Sequence, residues 1–479
     1  MTAIRFVFEG RWCNLRRANA KFKEFEMKKY DFDVIVIGLG PAGMAVCAMA
    51  SEMGLNVCAV EKRNPGGECM NVGCIPSKAI IKIANTTPSM KRPFEHIQKH
   101  LSFIREKKIS GMISKAKTYL QRGAAEFVDS HTVKVGDEKI TAKRIFIATG
   151  TKPAIPPIKG IDETDCLTNE NLFDLNEIPA SMTIIGGGAI GSEMAEAFSK
   201  MGCKCTIVHN GRHLLPQAEA SAAEELEAAF KKQGIDVYNS ESVTGIEKKD
   251  NRIILSIGSG KTISSEKLLI AAGRKYDFSE LKLEKAGVIY TRNGIKTDKY
   301  LRTSQKHIYA VGDCNGNFLL SHAAMHQGMI ALMNALSPRP FKKDFKKFPV
   351  PWTVFTTPEI SAVGMSEEEL QAKKMKYEVI EAGYRDYGAA IAEDVPEGYV
   401  KVFASKYGKI YGASIVGKNS GELVNEWAAA IQNNIGLYKM MMTMHSFPTM
   451  GFLSKRIAEI WMMNRVRSNF VKRMVRLFF

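Results

Sequence analysis

A strand, a glycine-rich turn and a helix occur twice in this chain, about 150 residues apart, and no other feature narrows its fold as much. DFDVIVIGLGPAG runs a continuous apolar strand (Val34 to Ile37) into Gly38-x-Gly40-x-x-Gly43, with a helix expected from Met44 to about Met53. SMTIIGGGAIGSE repeats the plan with Gly186-x-Gly188-x-x-Gly191 and a helix to about Met201. Each helix leads into another strand, LNVCAVE in the first copy and CKCTIVH in the second. This unit presents backbone N–H groups at a helix N-terminus to a pyrophosphate, and the glycines permit the tight turn and the close approach. One such motif is weak evidence. Two in βαβ context predict an α/β protein with two Rossmann-like dinucleotide sites, as a flavin and a nicotinamide would need.

The copies differ at the end of their second strands. Glu61 lies 18 residues after Gly43, placed to accept hydrogen bonds from ribose hydroxyls. The same distance after Gly191 stands His209, followed by Asn210, Arg212 and His213. An acid there would repel a 2′-phosphate, whereas Arg212 could bind one, which points to NADP. Gly191 points the other way, being more usual in users of NAD.

With 479 residues the chain should hold two to four domains, since single cores rarely exceed about 250 residues. No apolar run approaches the roughly 18 residues of a membrane span. The net charge of +17 sits largely at the ends. Residues 455–479 carry Lys455, Arg456, Arg465, Arg467, Lys472, Arg473 and Arg476 against Glu459 alone, and six bases stand against three acids in residues 1–26. No nucleic-acid module is present, so the charge reads as terminal arms. The basic tail also carries apolar residues, among them Trp461, Val466 and Leu477, and is a candidate for peripheral membrane contact. Glu9, Glu24 and Glu26 argue against a mitochondrial transit peptide, so residues 1–26 are expected to be an unstructured extension, or untranslated with Met27 as the start.

Nine cysteines without a dense, even framework fit a reducing, cytoplasmic setting. Cys203 and Cys205 alternate along a strand and read as packing residues, as do Cys13, Cys47, Cys58, Cys166 and Cys314. The distinctive pair is Cys69 and Cys74 in Gly66-Gly67-Glu68-Cys69-Met70-Asn71-Val72-Gly73-Cys74-Ile75-Pro76-Ser77-Lys78. Glycines on both sides permit a turn that brings the two within disulfide range. Ile75-Pro76-Ser77 suits a helix start, which favours a thiolate at Cys74, and Lys78 adds positive charge one turn on. Such a thiolate is suited to relay electrons beside a flavin. Zinc is the competing reading, but the usual spacing and a second ligand pair are missing, so no metal site is expected.

GGECMNVGCIPSK, the two fingerprints in this order, ATG, VGD and FTTPEI together resemble the flavoprotein disulfide reductases, over about residues 30–455. Within that family the chain is most similar to the dihydrolipoamide dehydrogenase and mercuric reductase branches. The resemblance implies an FAD domain (27–150 and 273–345) with an inserted NAD(P) domain (151–272). A C-terminal α+β dimerisation domain (346–455) follows, giving a homodimer, and a basic tail (456–479) ends the chain. It places Gly38, Gly40, Gly43, Glu61, Lys78, Gly150 and Asp313 at or near FAD, with Gly186, Gly188, Gly191, His209 and Arg212 at the nicotinamide dinucleotide. Cys74 would face the flavin, Cys69 would exchange with substrate, and Glu193 would pair with Lys78.

Relatives that handle dihydrolipoamide carry His-Pro-Thr near the C-terminus and a Glu five residues after the His. Here the segment reads His445-Ser446-Phe447-Pro448-Thr449-Met450-Gly451-Phe452, so phenylalanines hold both positions, and His445, two residues earlier, is a candidate catalytic residue only if the backbone path differs. The mercuric reductase branch typically adds a C-terminal thiol pair, and no cysteine follows Cys314. The expected activity is therefore NAD(P)H-dependent reduction of a small disulfide or another thiophilic oxidant. The alternatives are a dihydrolipoamide dehydrogenase and a flavin-binding, membrane- or partner-attached regulatory protein.

Overall fold

A computed structural model describes residues 29–467 and 469–478; the expectation for residues 1–26 lies outside the described residues. The first sheet is built around Phe32–Ile37, buried along almost its whole length, as a central parallel strand must be. It pairs in parallel with Val57–Glu61 on one side (Val34 against Val57) and Glu138–Ile147 on the other (Ile35 against Ile145). Lys117–Leu120 extends one edge, and the antiparallel strands Thr132–Val135 and Ala125–Phe127 extend the other.

The strand Ile308–Ala310 returns to this sheet, parallel to Glu138–Ile147, with Ile308 against Ile145. The chain thus leaves the first sheet, builds another unit and comes back. The inserted unit has its own parallel sheet, ordered Asp236–Tyr238, Lys204–Val208, Ser181–Ile185, Lys267–Ile270, and a three-stranded antiparallel sheet over residues 243–265. The two crossings between units lie side by side, as Lys152–Pro153 pairs with Arg274–Lys275. A third unit packs the five-stranded sheet of Trp352–Val354, Ile360–Gly364, Ile410–Val416, Tyr399–Ala404 and Glu378–Gly383 against the helices Ser420–Gln432 and Phe452–Val466. Trp427 and Trp461 anchor that core, and truncating such a buried aromatic costs about 3–5 kcal/mol.

Two local differences from the sequence reading concern the site. The first fingerprint helix spans Pro41–Glu52, so it begins before Met44 and holds the third glycine inside it. Proline at the first helical position explains this, since its fixed φ fits a helix start and its missing N–H costs nothing there. The cysteine segment is two helices, Gly67–Asn71 carrying Cys69 and Cys74–Thr86 beginning at Cys74 itself. Gly73 joins them, and a Cβ there would lie 2.9 Å from Glu68 O, so only glycine lets the halves fold this tightly.

Candidate active site

The first fingerprint closes on its own backbone. Gly38 has a φ of 94°, and a Cβ on Gly43 would lie 1.9 Å from Gly38 O. Strand, turn and helix are therefore in direct contact. A Cβ on Gly67 would lie 2.7 Å from Gly40 Cα, so the nucleotide turn also touches the start of the cysteine segment. Glu61 is buried at the end of the neighbouring strand, where its carboxylate accepts the Leu39 N–H at 2.8 Å and the Arg63 N–H at 2.7 Å. Each oxygen keeps a lone pair for a ribose hydroxyl.

Further along, the backbone at Gly150 is open, with no atom within 4 Å of where a Cβ would stand. Gly312 N–H donates to Gln327 Oε1 at 2.8 Å, while the amide nitrogen of Gln327 is buried without a protein partner among the described residues. Burial pushes the Asp313 carboxyl up to about 6, with the neighbouring Glu68 and Cys74 adding to the shift and Arg274 opposing it. An unmet buried donor, a buried carboxyl and an open glycine turn form a donor set that fits FAD.

The cysteines meet at this place. Cys74 Sγ lies 3.1 Å from Ser321 Oγ, the first residue of the helix Ser321–Leu336. The two thiols titrate in opposite directions. A hydrogen bond from Cys69 is the largest of the effects that draw Cys74 down to about 6; Ser321 and Lys78 add to it, and burial opposes it. Cys69 is pushed up by the same bond and by burial. Both shifts favour the ionised form at Cys74 over Cys69.

Lys78 Nζ donates to Glu193 Oε2 at 2.7 Å, the pairing that the resemblance implied. The other Glu193 oxygen accepts the Phe355 N–H at 3.0 Å, and Lys78 Nζ stands 4.7 Å from the centre of the Phe355 ring. Glu193 is buried, and its helix belongs to the inserted unit, so this pair joins the two units next to the cysteines.

Arg274, which the sequence reading did not single out, makes a second junction. It forms an ion pair with Glu68 and donates to Thr151 Oγ1 at 2.9 Å and Asn169 Oδ1 at 3.2 Å. Glu68, beside Cys69, is pushed up by burial against this arginine.

The second fingerprint repeats the glycine contacts. Gly186 has a φ of 121°, and a Cβ on Gly191 would lie 2.0 Å from Gly186 O, while Gly188 faces open space. At the strand end the copies part. The His209 ring lies so close to the turn that a Cβ on Gly187 would stand 2.7 Å from it. Its Nδ1 accepts the Gly211 N–H at 3.2 Å and its Nε2 lies 2.6 Å from Asn239 Oδ1. An accepting Nδ1 puts the proton on Nε2, so both nitrogens are engaged and His209 has no free N–H for a phosphate. Asn239 in turn donates to Glu227, which also accepts the Leu214 N–H. Arg212 is exposed and makes no ion pair among the described residues.

Near the C-terminus, Phe447–Pro448 is a cis peptide, and the Phe447 and Phe452 rings meet edge to face at 5.5 Å. His445 is held from both sides, with Nε2 2.7 Å from Glu426 Oε1 and Nδ1 3.1 Å from Thr443 O. Glu426 comes from a preceding helix, where no sequence spacing would have pointed to it. Among the described residues no group of three or more metal-binding side chains converges.

Comparison with known proteins agrees with this geometry. Residues 32–328 match the pyridine nucleotide-disulphide oxidoreductase family, and residues 350–455 match its dimerisation domain. The dihydrolipoyl dehydrogenase of Bacillus subtilis is 30% identical over 455 residues, covering 89% of this chain and 96% of that protein. The one from Geobacillus stearothermophilus is 32% identical over 456 residues, with the same coverage of each chain. Among solved structures, the HOCl-induced flavoprotein disulfide reductase RclA of Escherichia coli superposes with a TM-score of 0.83 at 26% identity, over 90% of this chain and 100% of that one. LpdA of Mycobacterium tuberculosis gives 0.80 at 25%, over 90% and 99%. The chain belongs to the pyridine nucleotide-disulphide oxidoreductases, flavoprotein enzymes that use FAD and NAD(P)H.

Proposed function

We propose that this enzyme reduces a small disulfide or another thiophilic oxidant with NAD(P)H, as a homodimer, and is not a dihydrolipoamide dehydrogenase. One observation carries the choice: Phe447 packs on Phe452 where a proton-transferring His and its Glu would be needed. His445 stands two residues before that position, with Nε2 2.7 Å from Glu426 Oε1 and Nδ1 3.1 Å from Thr443 O. An acceptor that needs no proton taken from a neutral thiol suits such a site, and loss of a general base typically costs about 10²–10⁴-fold.

Bound FAD supplies the two-electron redox chemistry. The remaining roles fall to the chain. Gly38, Gly40, Gly43, Gly150, Glu61 and Asp313 hold the cofactor, and Lys78 and Glu193 fix the charge beside it. Cys74 keeps the thiolate, and Cys69 meets the acceptor.

Gly186, Gly188 and Gly191 seat the nicotinamide dinucleotide. Arg212, exposed and without an ion pair among the described residues, favours NADPH. The dihydrolipoyl dehydrogenase relatives favour the second reading, in which lipoamide is the acceptor. RclA has also been solved as a Cu(II) complex, so metal ions belong among the acceptors to be tried. The test is NADPH and NADH oxidation with low-molecular-weight disulfides, quinones, metal ions and lipoamide. Turnover with a disulfide or metal ion well above that with lipoamide is expected; lipoamide as the best acceptor would reverse the choice.

We infer a cytoplasmic enzyme; among the described residues no helix is long and apolar enough to cross a membrane. The helix Asn469–Phe478 exposes Lys472, Arg473 and Arg476 with Val475 and Leu477, which supports peripheral contact with an anionic membrane surface. Equal sedimentation with anionic vesicles for the full chain and for one ending at Arg467 would contradict that contact.

A further inference from the structure

The chain's redox chemistry needs one sulfur to stay ionised, and the structure shows what touches that sulfur. Cys74 Sγ has a hydroxyl neighbour at 3.1 Å, Ser321 Oγ. The two residues are 247 positions apart and come from different segments of the first domain. Ser321 begins a sixteen-residue helix, so the hydroxyl sits at the end of the helix dipole that favours negative charge. A neighbour just after it, His322, is tied to Pro351 O at 2.7 Å, which fixes the start of this helix.

We propose that Ser321 is a catalytic residue that donates a hydrogen bond to the Cys74 thiolate and so holds that sulfur ionised. The chemistry balances. A hydride equivalent from NAD(P)H breaks the Cys69–Cys74 bond and leaves NAD(P)+, one thiol on Cys69 and one thiolate on Cys74. No other oxidant or proton is required. The thiolate formed is an acceptor without a proton of its own, and a serine hydroxyl can donate to it at no desolvation cost, since the hydroxyl is already in place. A thiol that is not ionised gains less from that bond, so the hydroxyl favours the charged form. Among the described residues, Ser321 through its hydroxyl and Lys78 through its charge both favour the ionised form of Cys74.

This inference rests on the reading of Cys74 as the sulfur beside the flavin, and the experiment separates the two. Holoenzyme reduced with one equivalent of NADPH is titrated with pH while the long-wavelength absorbance of the thiolate–flavin pair is followed. Wild type should lose that absorbance as pH falls through about 6, because a depressed thiol is ionised above its pKa and protonated below it. Ser321→Ala should move the midpoint up by about one pH unit, the size of one charge-assisted hydrogen bond. Ser321→Thr, which keeps the hydroxyl, should stay with wild type.

Iodoacetamide labelling of Cys74 in the reduced holoenzyme, mapped by mass spectrometry at pH 6, should slow by about fivefold in Ser321→Ala as the thiolate fraction falls. A Ser321→Ala enzyme that binds flavin and titrates with wild type overturns the role of Ser321. Wild type with no long-wavelength band at any pH overturns the relay reading itself, and Ser321's role with it.

Discussion

The two glycine turns are nearly superimposable in what they demand of the chain and quite different in what they offer a ligand. In both, the third glycine brings helix and strand into backbone contact, Gly43 on Gly38 O and Gly191 on Gly186 O. At the end of the adjacent strand, however, Glu61 turns a carboxylate toward the first turn, whereas His209 lies flat against Gly187 and is tied to Asn239 and Gly211. Backbone sterics preserve the shared part, and the side chain at the strand end decides which nucleotide is read.

Breaking the shared part should have the largest effects, and different ones in the two copies. Gly43→Ala would place a Cβ 1.9 Å from a backbone oxygen in the first sheet, so we expect loss of bound flavin, seen as loss of yellow colour on gel filtration, and a fall in thermal stability. Gly191→Ala creates the same clash at 2.0 Å in the inserted unit. It should leave flavin bound while raising KM for NAD(P)H by at least about tenfold, roughly the 1.4 kcal/mol that one strained contact readily removes. Flavin loss from Gly191→Ala, or none from Gly43→Ala, would break the assignment of the turns.

The unshared part should give smaller and more selective effects. Glu61→Ala leaves the Leu39 and Arg63 N–H groups without their acceptor, at about 1–3 kcal/mol, and should weaken flavin retention. Arg212→Ala should raise KM for NADPH about tenfold and leave that for NADH nearly unchanged, since only NADPH carries the 2′-phosphate. His209→Ala should change the two cofactors alike, because its ring nitrogens are engaged within the protein. Steady-state KM values for both cofactors check all three, and an Arg212→Ala enzyme that loses NADH and NADPH equally would remove the phosphate-binding role.

What the sequence made legible follows the same division. Fingerprint glycines could be read because a positive φ or a close approach leaves little choice of residue, as at Gly38 and Gly43. The cysteine pair was legible for a related reason, since Gly73 is needed to fold Cys69 and Cys74 together. Lys78 with Glu193 followed from family resemblance and lies where that implied. Ser321, Arg274 and Glu426 were invisible, because each acts through a partner brought near only by the tertiary fold. The short helix carrying Cys69 was also missed, as five residues give no periodicity to read. His209 shows the opposite limit: its position was right, but its two hydrogen bonds, which occupy the ring, belong to residues with no motif of their own.

In the C-terminal segment Phe447 and Phe452 stand in place of a proton-transferring pair. The direct test is steady-state turnover of lipoamide and dihydrolipoamide by wild type, Phe447→His and His445→Ala, with flavin content and dimer mass measured for each. Slow wild-type turnover, unchanged in His445→Ala and raised at least about tenfold in Phe447→His, is the predicted result. Efficient wild-type turnover that collapses in His445→Ala would contradict it. The His445–Glu426 pair would then be the working acid–base group of a dihydrolipoamide dehydrogenase.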